Sequence, residues 1–286
     1  PPRPPPDYIR RQRQMCIRDR SGIGAVGVGV AGQVDADSGV VRSAPNLGWR
    51  DFPLADRLET VLGIPVVVEN DVRAITWGVW RHGAGRDIDD LIVMFVGTGL
   101  GGGIVSGGQL LTGDRGVAGE LGHATLVADG RLCTCGRRGC VEAYTGGWAI
   151  AARAREAIEA DPAAGQAMLD AAGKGEVTAV VVSQSAADGD PLATELLEET
   201  GRYLGAAAVG LVHALNPRRI VLGGGVVDGN SFLVDAVAEA VKEDVIPIFA
   251  DRLDVRQSEL GSQAGVIGSA SLARRRLAEG APEADR

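Results

Sequence analysis

Apolar residues recur along this chain in two rhythms, and their alternation predicts strands and helices in turn. Residues 25–30 (AVGVGV) are an apolar run thinned by glycine, which reads as a buried strand leading into the turn Ala31-Gly32-Gln33. Gly39-Val40-Val41 follows as a short return strand. Asp51 and Pro53 are expected to open a helix with Leu54, Leu58 and Leu62 on its apolar face, stopped by Gly63. Pro65-Val66-Val67-Val68 is a continuous β-branched run, the pattern of a strand covered on both faces. It ends at Glu69-Asn70-Asp71, and a second helix runs from there to about His82, closed by Gly83. Residues 91–96 form another buried strand. This succession predicts right-handed crossovers and a mostly parallel sheet.

Beyond residue 96 the pattern changes. Residues 103–111 read as a hairpin turning at Ser106, Gly107 and Gly108, and residues 146–215 as mainly helical. Residues 177–182 have strand propensity but run into a polar, alanine-rich stretch, so periodicity leaves their state open. Residues 194–215 form a long striped helix ended by Asn216-Pro217; His213 lies on its stripe, and His82 near a helix end, as structural residues. Arg219-Ile220-Val221-Leu222 is a strand running into Gly223, Gly224 and Gly225. A helix over 232–242 and a strand near 253–256 follow, then a last helix capped by Ser262 and running to about Leu277. The tail 278–286 is expected to be disordered.

Composition narrows the class. The 286 residues are 45% apolar with 42 glycines and 4% aromatics, which fits an α/β protein with tight strand-to-helix turns. A net charge of −8 argues against nucleic-acid and anionic-membrane partners. No apolar run approaches the roughly 20 residues that span a bilayer, and no secretory signal is visible, so a cytoplasmic location is expected. Residues 1–20 stand apart: six arginines, two aspartates and no periodicity read as a disordered or foreign segment, and Cys16 within it receives no role.

Four stretches carry candidate chemistry. Residues 120–142 (ELGHATLVADGRLCTCGRRGCVE) hold Cys133, Cys135, Cys140 and His123, a Cys₃His set suited to a closed tetrahedral zinc site. The competing reading is a disulfide with a spare thiol; clustering in a chain without a secretory signal favours metal. Reactive groups gather at the carboxyl ends of parallel strands, where Asn70 and Asp71 sit, as do Thr98 and Gly99. Residues 97–102 match G-x-G-x-x-G after a strand, yet a hairpin follows where a dinucleotide fold needs a helix, so that reading fails its context. A glycine turn offering amides and the Thr98 hydroxyl to phosphate stays open. Gly223, Gly224 and Gly225 permit close approach of a flat or anionic ligand, or make a simple tight turn.

Phosphoryl transfer to a sugar would use all of these features: a base for the attacking hydroxyl, glycine turns for ATP, and carboxylates for sugar hydroxyls. From about Gly22 to Leu277 the sequence resembles the ROK family (repressors, open reading frames and sugar kinases), nearest to its ATP-dependent glucokinases. The resemblance rests on GVGVAGQVD at 27–35, END at 69–71, VGTGLGGG at 96–103 and AGELGH at 118–123. CTCGRRGCVE at 133–142, VLGGG at 221–225 and AGVIGSASLA at 264–273 complete it.

That resemblance implies an actin-like ATPase (ribonuclease H-like) two-domain sugar kinase fold. It places a small α/β domain at 21–96, with the helix over 262–277 packing on it, and a large α/β domain with the zinc site at 97–261. Asp71 would be the general base for the 6-hydroxyl of a hexose. Asn70, Asp71, Glu120, His123 and Glu142 would bind the sugar, glucose foremost. His123, Cys133, Cys135 and Cys140 would hold a structural zinc ion. Thr98 and Gly99 would face the phosphates of ATP and Gly223, Gly224 and Gly225 its adenosine, with Mg2+ bridging the phosphates. A homodimer is implied as well.

Two departures from the family pattern stand out. Ala31 replaces a usual proline, and no D-x-G-G-T phosphate motif occurs anywhere, so an incomplete small domain and weak or absent turnover are expected. The competing class is the sugar-sensing domain of a ROK transcriptional repressor.

Overall fold

The computed structural model describes residues 22–280. The expectations for residues 1–20, Cys16 included, and for 281–286 lie outside the described residues.

The described chain opens with β1 (Val26–Val30), β2 (Gln33–Asp35), β3 (Val40–Ala44) and β4 (Trp49–Pro53). Strands β2, β3 and β4 form an antiparallel sheet. Asp51 and Pro53 therefore both lie in β4, and of the two only Pro53 stands at the start of the expected helix, as its N-cap. Pairing of Val41 with Phe52 and the stack of Trp49 on Phe52 at 4.4 Å hold that segment extended. The helix α1 (Leu54–Leu62) starts one residue later and ends, as its pattern predicts, at Gly63 with φ 70°. Next come β5 (Val66–Asn70) and α2 (Asp71–His82). Strand β5 pairs in parallel with β1, Val30 standing opposite Asn70.

Strand β6 (Leu91–Val96) leaves that pair altogether. It lies at the centre of a five-stranded sheet with β7 (Leu100–Ser106), β8 (Gln109–Leu110), β9 (Arg219–Gly223) and β10 (Asp254–Gln257), in the order β10-β9-β6-β7-β8. It runs parallel to β9 and antiparallel to β7. The single, mostly parallel sheet expected through residue 96 is thus three sheets, because periodicity identifies a strand without naming its partner. The domain boundary expected at residue 96 would separate β6 from β7, to which it is hydrogen-bonded along its whole length.

Between β8 and β9 the chain is helical: α3 (Glu142–Thr145), α4 (Gly147–Ala160), α5 (Gln166–Ala172), α6 (Ala179–Ala187) and α7 (Pro191–Leu215). The open segment 177–182 enters α6, capped by the Thr178 hydroxyl accepting from Val181 N, with Val182 fully buried. Helix α7 begins at Pro191, three residues before the expected start, because Asp190 caps it through Ala193 N at 2.7 Å. After β9 come α8 (Gly225–Asp228), α9 (Phe232–Asp244), α10 (Pro247–Ala250) and, past β10, α11 (Ala264–Gly280). Ser262 is not the cap of α11; it lies in a 3-10 turn, Gly261–Gln263. Residues 278–280, expected in the tail, continue the helix.

The continuous apolar runs of β6 and β9 follow from burial on both faces. Ile92, Met94 and Leu222 pack into the core built on α4 to α9, while Leu91, Val93 and Val221 pack against Trp77 and Trp80 of α2. Helix α11 closes over α2 and β1, and Trp77 Nε1 donates to Ser271 Oγ at 3.0 Å. Among the described residues no helix is long and apolar enough to cross a membrane.

Candidate active site

Asn70 and Asp71 form the corner between β5 and α2. Asn70 caps the helix, its Oδ1 accepting from Val72 N and Arg73 N at 3.0 Å each. Its amide nitrogen donates to the Gly32 carbonyl at 3.0 Å and to Asp71 Oδ1 at 3.1 Å. Asp71 Oδ1 also accepts from Val72 N, and no protein donor reaches Oδ2 among the described residues. Burial pushes the Asp71 carboxyl above its ordinary value, against the lowering effect of these hydrogen bonds.

Strand β7 joins this corner to the cysteine loop. Its glycines leave no room for side chains: a Cβ on Gly103 would stand 2.1 Å from Thr76 Oγ1 of α2, and one on Gly102 would stand 2.4 Å from Leu121. One face of β7 thus seats the helix that begins at Asp71. The other seats the 3-10 turn Leu121–His123 that follows Glu120. Glu120 is exposed and its carboxylate has no hydrogen-bond partner among the described residues.

His123, Cys133, Cys135 and Cys140 converge, their ligand atoms all within 4.8 Å of one another. Cys133 Sγ lies 3.7 Å from His123 Nδ1, and Cys135 Sγ lies 3.7 Å from Cys140 Sγ. A tetrahedral ion with bonds of about 2.3 Å requires ligand separations of roughly 3.8 Å; these two pairs match that, and the others, at no more than 4.8 Å, would close on such an ion with small side-chain shifts. Burial pushes the Cys133 thiol up to about 12 and raises Cys140, whereas the Arg137 backbone N–H holds Cys135 below its ordinary value. A cation bound among these four groups would supply the charge that three clustered thiolates need. With Nδ1 turned to the sulfurs, His123 keeps Nε2 for a ligand.

Glu142 binds this loop to the glycine turn after β6. Its Oε1 accepts from Trp148 Nε1 and Thr134 Oγ1 at 3.2 Å each, and Oε2 accepts from Leu100 N at 3.0 Å. The turn is fixed from the same side, since Gly147 N donates to the Gly97 carbonyl and Trp148 N to the Thr98 carbonyl. Thr98 is exposed there. Gly223 pairs with Phe95, and a Cβ on Gly224 (φ 95°) would stand 2.4 Å from the Val96 carbonyl oxygen. The two glycine turns therefore lie side by side at the carboxyl ends of β6 and β9, with Gly225 facing open space.

A cavity of about 740 Å³ lies between the β2–β3 hairpin and the segment 112–117, lined by Gln33, Asp35, Arg42, Thr112, Asp114 and Arg115 among others. Asp71 itself lines a second, of about 720 Å³, with Gly29, Ile75 and Ser269. Sequence reasoning missed Trp148 and Thr134, whose partner Glu142 becomes evident only in three dimensions. It also missed the buried pair Glu69 and Arg73, whose four-residue spacing at a strand-to-helix junction was a readable signal.

The model of the ROK family matches residues 10–276. A glucokinase of Streptomyces coelicolor is 37% identical over 258 residues, covering 87% of this chain and 80% of that protein. The crystal structure of a ROK family glucokinase from Streptomyces griseus, in complex with glucose and AMPPNP, matches with a TM-score of 0.81 at 36% identity, over 96% of this chain and 89% of that one. The DNA-binding transcriptional dual regulator NagC of Escherichia coli is 29% identical over 273 residues, 96% of this chain and 64% of that protein. The α/β architecture is accordingly the actin-like ATPase fold of these sugar kinases, and the chain belongs to the ROK family.

Proposed function

We propose that this chain is an ATP-dependent hexose kinase that moves the terminal phosphoryl group of ATP to the 6-hydroxyl of a sugar, with glucose favoured by the kinship above. One observation carries the reading. Asp71 stands at the carboxyl end of β5 with Oδ1 held by two donors and Oδ2 free, its proton affinity raised by burial. A carboxylate so placed accepts the proton of an attacking hydroxyl better than an ordinary surface aspartate.

Hexose recognition divides among groups with spare bonding capacity. Glu120 and His123 Nε2 have it in full. Glu142 commits most of its lone pairs to Leu100, Thr134 and Trp148, so its principal work is to hold the cysteine loop against the Gly97-Thr98-Gly99 turn. Asn70 has all four of its side-chain bonds made, and a sugar hydroxyl bonding its amide would replace the Gly32 carbonyl. Zinc is the ion the Cys₃His set suits, and bound there it would keep His123 in one tautomer and orientation. Thr98 and Gly99 would meet the ATP phosphates and Gly223, Gly224 and Gly225 the adenosine. Magnesium would neutralise charge on the phosphates. With no D-x-G-G-T segment in the sequence, phosphate grip rests on these two turns and turnover by the 286-residue chain is expected to be slow.

The kinship with NagC supports a second reading, a sugar-sensing domain. A hexose screen with labelled ATP and Mg2+, set beside calorimetric binding of the same sugars, separates the two. Label on one hexose, above an Asp71→Asn control, supports the kinase. Tight hexose binding with no label transferred favours the sensor.

A further inference from the structure

Immediately beside the proposed base lies an ion pair that the reaction does not use. Glu69, the penultimate residue of β5, and Arg73, in the first turn of α2, have only 5% and 2% of their surfaces exposed. Arg73 Nε donates to Glu69 Oε1 at 2.8 Å, and a terminal guanidinium nitrogen reaches the same oxygen. Burying two charges is costly, and apolar residues of similar volume often serve stability equally well or better, so fold stability alone is a poor reason for this pair.

Its remaining bonds point elsewhere. Glu69 Oε1 accepts from Asn70 N at 2.7 Å, and Arg73 donates to the Val34 carbonyl of β2 at 3.2 Å. Asn70 in turn donates to the Gly32 carbonyl just before β2. The corner carrying Asn70 and Asp71 is thus gripped from the strand, from the helix and from the β1–β2 turn. We propose that Glu69 and Arg73 are positioning residues for Asp71 and Asn70, a buried clamp that fixes the corner against β2 so that Asp71 Oδ2 stays turned to the hexose. The inference rests on the hexose kinase reading for its substrate.

The test is the double variant Glu69→Leu with Arg73→Met, beside the conservative variant Arg73→Lys, measured for melting temperature, hexose Kd by calorimetry, and kcat and KM. The apolar double variant is expected to melt at or above the parent temperature. Its kcat should fall by on the order of 10²-fold, the usual consequence of misplacing a catalytic group by about an ångström. Its hexose Kd should rise by roughly tenfold as Asn70 turns away, with KM for ATP unchanged. Arg73→Lys keeps the buried charge but has no fork to reach both Glu69 and Val34, and should show a smaller loss of kcat at near-parent stability. A folded double variant with parental kcat and Kd overturns the proposal and leaves the pair purely structural. Should the double variant not fold, parental kcat and Kd in Arg73→Lys overturn it equally. If the parent phosphorylates no hexose, the kinase reading fails, while the Kd comparison still decides the clamp.

Discussion

Asn70 and Asp71 are neighbours in sequence with different standing in the fold. Asp71 is legible as a candidate base because a β-branched run ends just before it, and strand ends are where reactive groups collect. The saturation of Asn70 is not legible, because its partner Gly32 is 38 residues away. The same holds for Glu142, whose oxygen accepts from Leu100 N across 42 residues. For Asp71 the sign of the pH effect follows from burial. The folded state binds its proton more tightly than the unfolded state, so the stability it contributes is present below the unfolded carboxylate pKa and is lost as pH rises through the raised folded value. Asp71→Asn keeps the Oδ1 acceptor and removes the buried charge. It should raise the melting temperature at pH 7 and cut kcat by on the order of 10²- to 10⁴-fold, with hexose affinity retained. The acid limb of kcat/KM in the parent should fall at a pH above the ordinary aspartate range. A variant that turns over normally removes Asp71 from the chemistry.

At the scale of elements, the glycine-rich segment after β6 divides between a turn and a strand. Only Gly97 and Gly99 belong to a turn that a phosphate could approach. Gly101, Gly102 and Gly103 lie inside β7, where they let α2 and the turn at Leu121–His123 pack closely against its two faces. No pattern in a single sequence separates a glycine that meets a ligand from one that meets a helix. Gly103→Ala should displace α2 and Gly102→Ala the His123 turn, each at about 1–3 kcal/mol of stability in denaturant titration. The first should lower kcat more than hexose affinity, and the second the reverse; identical kinetic losses would show that β7 does not separate the two arms. The convergence of His123, Cys133, Cys135 and Cys140, by contrast, was legible from spacing, because cysteines with one and four residues between them and glycine turns at Gly136 and Gly139 fold back onto one point. Cys135→Ser should abolish metal binding, measured by elemental analysis, and hexose binding with it. Hexose affinity that survives metal loss would show that the loop holds His123 and Glu120 unaided.

For the whole molecule, the strands were legible individually and their grouping was not. β1 and β5 form a two-stranded pair and β2, β3 and β4 a small antiparallel sheet, whereas β6 and β9 sit inside five strands buried on both faces. Stability should divide the same way, because local opening requires less energy where fewer apolar contacts are lost. Two-stranded β structure is marginal by itself, so β1 and β5 depend on α2 and α11 packed against them. Native-state hydrogen exchange should therefore show β6 and β9 amides opening only with global unfolding, at roughly 5–15 kcal/mol, and those of β2 to β4 at a small fraction of that. Glu69, Asn70 and Arg73 tie this weaker half to the proposed active corner, so hexose binding should slow exchange in β1, β2 and β5 while leaving β6 and β9 unchanged. Uniform protection across all three sheets, or hexose-induced slowing confined to β6 and β9, would mean that the corner is not anchored through the hydrogen bond of Arg73 to Val34.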